Sequence, residues 1–367
     1  MRTALSLSIS LICLAASTTA IAQGAAPVPA PITPAQRAAV VASLGQQLKA
    51  NYVFPDLAEK LATATAAKQA KGGYNAATTT DAMSEALTND LVEIGHDKHF
   101  RVVFDPDYTA PPAGAKVVPS SEQVASNRQE MARLAYGLDR VQRLPGNVGY
   151  LEVRGFGPAA IVGAAYTNAM SLLSGTDALV LDLRRNGGGE PESVAHLLSH
   201  FFAEGDDRHL NDIYTRPTNT TREYWTNPAV TVRYTKPIHV LTSSQTFSGG
   251  EEAAYDLQTQ KRATLVGETT GGGANPGDNV SIGHGLFAFI PTGRSINPIT
   301  KTNWEHIGVK PDVAVPATAA MKTAYAAILT NLIAKATDPD EREGLKDTLA
   351  RAEKGEIDLP GFVPRRR

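Results

Sequence analysis

Ala178-Leu179-Val180-Leu181-Asp182-Leu183-Arg184-Arg185-Asn186-Gly187-Gly188-Gly189 is an almost wholly apolar run that stops at charged residues and three glycines. Apolar side chains on both faces of so short a run predict a strand buried on both sides. The segment Glu192 to Phe202 follows with helical spacing. Upstream, Val148-Gly149-Tyr150-Leu151-Glu152-Val153 reads as a strand and residues 159–174 as a helix. Downstream, Ile238-His239-Val240-Leu241, a helical run from Glu251 to Gln260 and the strand Thr264-Leu265-Val266 repeat the alternation. Strand and helix taking turns is the pattern of an α/β core with a parallel sheet, placed over residues 145–315.

The flanks have other textures. Thr33 before Pro34 reads as a cap with a first-turn proline, and Val40, Val41, Leu44, Leu48 and Tyr52 recur at helical spacing. Leu57 and Leu61, then Met83, Leu87, Leu91 and Ile94, continue it, so residues 34–105 are expected to form a helical N-terminal domain ending in a strand at Phe100 to Phe104. Residues 106–144 are expected to be a connecting loop and helix, and 316–367 a helical tail. Residues 23–33, with Pro27, Pro29 and Pro31, read as an extended linker clear of the packed fold. Arg2, the apolar stretch from Leu5 to Ala16 and the small residues Ala20-Ile21-Ala22 read as a secretory signal over residues 1–22, cleaved after Ala22. Export, to a bacterial periplasm, with no stable membrane insertion after cleavage, is the expectation.

Composition narrows the chemistry. The 367 residues carry 35 Lys+Arg against 37 Asp+Glu, a net charge of −2 that argues against a nucleic-acid partner. The single cysteine, Cys13, lies within the signal, which excludes disulfides, Cys-ligated zinc and a thiol nucleophile from the mature chain. Three glycines after a buried strand present backbone N–H groups to whatever approaches, an arrangement suited to an oxyanion. Thr242-Ser243-Ser244-Gln245-Thr246-Phe247-Ser248-Gly249-Gly250-Glu251 is again strand, turn and helix. Ser248 stands where the helix begins, either as a cap boxed with Glu251 or as a nucleophile beside the Gly249 N–H. Glu93-Ile94-Gly95-His96-Asp97-Lys98-His99 offers a general base or, less well by its spacing, a metal site. Glu305, in Asn303-Trp304-Glu305-His306-Ile307-Gly308, is a carboxylate available to orient an imidazole.

Together these blocks resemble the C-terminal-processing (tail-specific) peptidase family, in the branch that includes the tricorn protease core and the interphotoreceptor retinoid-binding protein. The resemblance rests on Asp97-x-His99, Asp182-x-Arg184-x-Asn186 with its glycines, Thr242-Ser243 through Glu251, Arg262 to Glu268, and Asn303-Trp304-Glu305 through Asp312, in the family's order. It implies a crotonase-like and Clp-protease-like spiral of β-β-α units behind a helical N-terminal domain. It implies Ser248 as nucleophile, His99 as base, Glu305 as the acid, and the N–H groups of Gly249 and Gly187 as the oxyanion pocket, with no cofactor and a peptide or protein substrate. The tail-specific branch pairs its serine with a lysine 25 residues later, and that position here is Gly273, with Lys98 as the nearby alternative. A separate PDZ module has no room between Pro106 and Pro145. The same resemblance leaves open a binding protein that holds a small apolar or peptide ligand without chemistry.

Overall fold

A computed structural model of the chain describes residues 29–108 and 120–365. The expected signal, its cleavage position and Cys13 lie outside the described residues. Three helices open the chain: α1 (Pro34–Asn51), α2 (Pro55–Ala70) and α3 (Thr80–Gly95). The start of α1 is fixed by a reciprocal pair in which Gln36 N–H donates to Thr33 Oγ1 and Thr33 N–H to Gln36 Oε1. The apolar rows read from the sequence, Leu44, Leu48, Leu61, Leu87 and Leu91 among them, are fully buried in one cluster. Truncating one of these leucines to alanine costs about 2–5 kcal/mol. Residues 30–32, expected in a linker free of the fold, instead pair with residues 78–80: Ala30 and Thr80 exchange bonds, and Ile32 N–H donates to Thr78 O. Ile32 is buried there, so its apolar side chain decides the outcome over the prolines around it.

After α3 comes β1 (Arg101–Phe104), then α4 (Ser121–Arg133), β2 (Leu138–Leu144), β3 (Val148–Val153), α5 (Ala159–Leu173), β4 (Ala178–Asp182) and α6 (Pro191–Ser199). The chain continues through β5 (His209–Thr215), β6 (Thr220–Trp225), β7 (Ile238–Thr242), α7 (Gly249–Thr259) and β8 (Thr264–Gly267). It closes with β9 (Gly277–Gly283), β10 (Leu286–Pro291), β11 (Gly293–Ile296), β12 (Val313–Ala314), α8 (Ala317–Lys335) and α9 (Pro339–Lys354). The main sheet has the order β12-β8-β7-β4-β3-β2, parallel except for β2. Its middle strands are buried on both faces, by α5, α6 and α7 on one side and by α8 and α9 on the other. Alanines 320 and 324 let α8 approach the sheet, and Tyr325 donates to Pro145 O at 2.7 Å. Residues 356–365, expected to be helical with the rest of the tail, return extended against the core, where Arg184 meets Pro360 O and the Phe362 ring.

Two features position a site. Asp182 of β4, Leu241 of β7 and Val266 of β8 stand level in register, so the turns leaving three adjacent parallel strands emerge together. The antiparallel sheet β1-β10-β9 ties the end of the helical region to this edge, with Arg101 opposite Phe289. A third sheet, β11-β5-β6, walls the remaining side.

Candidate active site

The turn after β7 carries five hydroxyl groups, and bonding separates them. Thr242 Oγ1 donates to Glu268 O at 2.8 Å, Ser243 Oγ to Arg184 O at 2.5 Å and Thr246 Oγ1 to Leu183 O at 2.8 Å, while Ser244 is exposed. Ser243 and Thr246 therefore stitch the β4 and β7 turns together, and Thr242 ties the end of β7 to the segment after β8. Ser248 lines a cavity of about 240 Å³. Its backbone sits at φ 52° and ψ −122°, a region an L-residue occupies at a cost of about 1–3 kcal/mol unless its surroundings impose it.

What imposes it is Glu251. The carboxylate accepts from Ser248 N–H (2.9 Å) and Gly273 N–H (2.9 Å) on one oxygen, and from Gly272 N–H (2.6 Å) and Thr270 Oγ1 (2.5 Å) on the other. Burial pushes this carboxyl up, and the four donors pull it back. The sequence read Glu251 as half of a local capping box; the structure makes it the junction between the serine turn and the loop after β8. Nothing within ten residues in the sequence announces Thr270, Gly272 or Gly273 as its partners.

Gly249 N–H has no acceptor among the described residues, as the first amide of α7. Its expected companion, Gly187 N–H, instead donates to Arg154 O at 3.1 Å, and Gly188 N–H donates to Asn186 Oδ1 at 2.8 Å. The correction is a two-residue shift. Gly189 N–H is the amide of this turn left without an acceptor among the described residues, and it lies 3.2 Å from where a side chain on Gly249 would begin. Gly189 has φ 137°, and a Cβ there would fall 2.0 Å from Phe156 O, so the turn admits glycine alone.

His99 reaches the same cavity from the other direction. Helix α3 ends in left-handed His96 (φ 56°), the chain turns through Asp97 and Lys98, and β1 then pairs with β10. His99 Nδ1 lies 3.3 Å from Asp97 Oδ1; Asp97 also accepts from His99 N–H (3.0 Å) and Asn275 Nδ2 (2.9 Å). Burial alone would push the imidazole down, but Asp97, then Glu305 and Glu251, raise its pKa above the usual histidine value. Burial works against the charged form of Asp97 too, and His99 and Asn275 outweigh it, leaving that carboxyl below its ordinary range. The Tyr52 hydroxyl, which faces Asp97 and Glu305, is held neutral by burial and by both carboxylates. His99 Nε2 makes no hydrogen bond among the described residues, Ser248 Oγ included; such bonds commonly tighten only with substrate in place.

Glu305 stands one step further out. Its Oε2 accepts from Ala274 N–H at 2.5 Å, and its Oε1 lies 3.4 Å from His306 Nδ1. Burial, then Asp97, pushes its carboxyl up to about 7, against the pull of Ala274 N–H and His99. Asp97, His99 and Glu305 offer ligand atoms that all lie within 4.8 Å of one another, and they are the residues here that could hold a metal. His96 is not one of that group, and its carbonyl meets His306 Nδ1 instead. The carboxylate in direct contact with the imidazole is thus Asp97, which the sequence placed in the motif without a role. An acidic residue two positions before a histidine, at a helix end, was the available signal.

Gly273 explains the missing lysine. A Cβ at this position would sit 2.3 Å from Phe247 Cζ and 2.7 Å from His99 Cε1, whose rings pack 4.7 Å apart. No side chain fits. Lys98 is exposed and turned away, donating to Gly271 O at 2.5 Å.

The description "Peptidase family S41" fits residues 147–315, and "N-terminal domain of Peptidase_S41 in eukaryotic IRBP" fits residues 33–136. The chain belongs to peptidase family S41. Among curated relatives, the chloroplastic carboxyl-terminal-processing peptidase 2 of Arabidopsis thaliana is 28% identical over 192 residues, 48% of this chain and 35% of that protein. The carboxyl-terminal-processing protease of Synechocystis sp. is 34% identical over 128 residues, 34% of this chain and 28% of its own. The chain therefore spans about a third of the length of these relatives. Among solved structures, mature CPAF superposes with a TM-score of 0.55 at 12% identity, covering 89% of this chain and 99% of that one. A putative peptidase from Parabacteroides merdae gives 0.54 at 16% identity, covering 82% and 98%. The tricorn protease gives 0.50 at 13% identity, covering 87% of this chain and 37% of its own. At such identities these structures establish the shared fold, which agrees with the α/β core with a parallel sheet, the helical N-terminal region and the C-terminal helices expected from the sequence. No helix among the described residues is long and apolar enough to cross a membrane.

Proposed function

We propose that this S41 chain is an exported serine peptidase that cleaves peptide bonds through an acyl-enzyme on Ser248. The observation that carries the reading is one cavity wall bearing Ser248, in its constrained turn at the head of α7, together with His99 Nε2 and the free amides of Gly249 and Gly189. In this reading His99 Nε2 takes the Ser248 hydroxyl proton as Oγ adds to the carbonyl carbon. The two amides receive the negative charge that develops on the carbonyl oxygen. The imidazolium passes its proton to the leaving amine as the C–N bond breaks, and water, deprotonated by His99, releases the acyl group. Asp97 stabilises the imidazolium directly, and Glu305, in its ionised form, adds negative charge behind it.

The test does not depend on which peptide the enzyme cleaves. A fluorophosphonate should label the purified protein at Ser248, mapped by mass spectrometry, with no label on Ser248→Ala and at least about a hundredfold slower labelling on His99→Ala. A folded protein that takes no label, or a Ser248→Ala variant that still hydrolyses a peptide library at a near-normal rate, would sink the proposal. The first result would favour a ligand-binding role for the cavity.

A further inference from the structure

The cavity wall carries four carboxylates, Glu190, Glu192, Glu252 and Asp278, and His99 is its basic residue. Among the described residues only Glu192 of the four has a cationic partner, Arg222. Glu252 is the informative one. It lies one turn along α7 from Ser248, on the same face, and is 4% exposed. The side chain facing it is that of Asn211, which supports its charged form, while the same amide nitrogen also donates to Ser295 Oγ at 3.3 Å and Oδ1 has no partner. A further turn along the helix, buried Asp256 also presents an oxygen without a donor. Burial pushes the Glu252 carboxyl up to about 8, and Glu192 adds to this against the pull of Asn211. A carboxyl so placed is stabilised as an anion by a cation brought to it.

We infer that this cavity receives the basic side chain of a lysine or arginine flanking the scissile bond, with Glu252 as its counter-charge, a specificity that rests on the peptidase reading above. The four-residue offset from Ser248 to Glu252 is about 6 Å along the helix axis, comparable with an extended lysine or arginine stem. Ile213, Phe289 and Trp304 supply an apolar wall along which such a stem can lie. The wall offers an acidic side chain no lysine or arginine to pair with, so the site selects by exclusion as well as by attraction.

Protection of Ser248 from the fluorophosphonate reads this directly. Benzamidine should slow labelling of the wild-type protein by about tenfold or more relative to its neutral isostere benzamide at equal concentration. In Glu252→Gln, each rate being compared with its own uninhibited rate, most of that ratio should disappear. Ser248 that labels normally but is protected equally by benzamidine and benzamide would overturn the specificity alone. No labelling of folded protein would overturn the peptidase reading and this inference with it. The cation-against-isostere comparison in the wild-type protein decides the matter even where Glu252→Gln does not fold.

Discussion

Replacing Glu251 with glutamine keeps the side chain's shape and turns one of its two oxygens into an N–H donor. Both oxygens are saturated by donors: the N–H groups of Ser248 and Gly273 on one, the Gly272 N–H and the Thr270 hydroxyl on the other. Three of the four donors are N–H groups with no acceptor to offer, so the native arrangement favours the anion against the burial that pushes this carboxyl up. With its nitrogen toward Thr270, whose hydroxyl can accept, the amide loses the Gly272 bond outright and the charge assistance of the bonds from Ser248 and Gly273. At about 1.5–3 kcal/mol for each bond to a charged group, the loss is about 3–6 kcal/mol, a large share of the 5–15 kcal/mol typical of a folded protein. Urea denaturation of Glu251→Gln beside wild type should show the midpoint falling accordingly. Because the released group is the backbone of Ser248, fluorophosphonate labelling should slow even at temperatures where the variant is folded. A change below about 1 kcal/mol with labelling within twofold of wild type would refute the assignment of Glu251 as the brace of the serine turn.

Three further outcomes follow from the same geometry. His99 must be neutral to act as a base, and its folded pKa is raised, so the labelling rate should climb with pH to a midpoint above the ordinary histidine value of 6.5; Asp97→Asn removes the leading raising influence and should move that midpoint down while slowing the reaction. Gly273→Ala forces Phe247 and His99 apart at a cost of about 1–3 kcal/mol, so lowered thermal stability with impaired labelling is expected, and an unchanged melting temperature would contradict the packing described. Arg184→Met leaves Asp182 buried without its guanidinium, now bonded at 2.5 Å, and should destabilise by about 3–5 kcal/mol in a denaturant titration.

The core strands β3, β4, β7 and β8 were legible because burial on both faces keeps them mostly apolar, with Glu152, Asp182, His239, Thr242 and Thr264 too few to blur the run. The hairpin β5–β6 and strands β9 to β11 were not. They carry Asn211, Asp212, Arg222, Glu223, Asp278 and Asn279 among their apolar positions, and only pairing with distant strands makes these residues a sheet. In the site, the strand-turn-helix frames announced Ser248 and the glycine turn, and the step from helix to strand announced His99. Which glycine amide stays free depended on Arg154, a residue more than thirty positions upstream whose carbonyl takes the Gly187 N–H. Asp97 was visible as a neighbour of His99, but its contact with Nδ1 comes from the left-handed end of α3, which no periodicity reports.

The absent side chain at position 273 constrains this protein's history as well as its chemistry. A serine peptidase that draws its base from that position and one that draws it from residue 99 need the same few cubic ångströms, here filled by two aromatic rings. With the rings packed as they are, the two designs compete for one space, and a lysine at position 273 would have to push the Phe247 and His99 rings aside. A change of proton acceptor would therefore begin with repacking Phe247 and His99, around a nucleophile that itself stays in place.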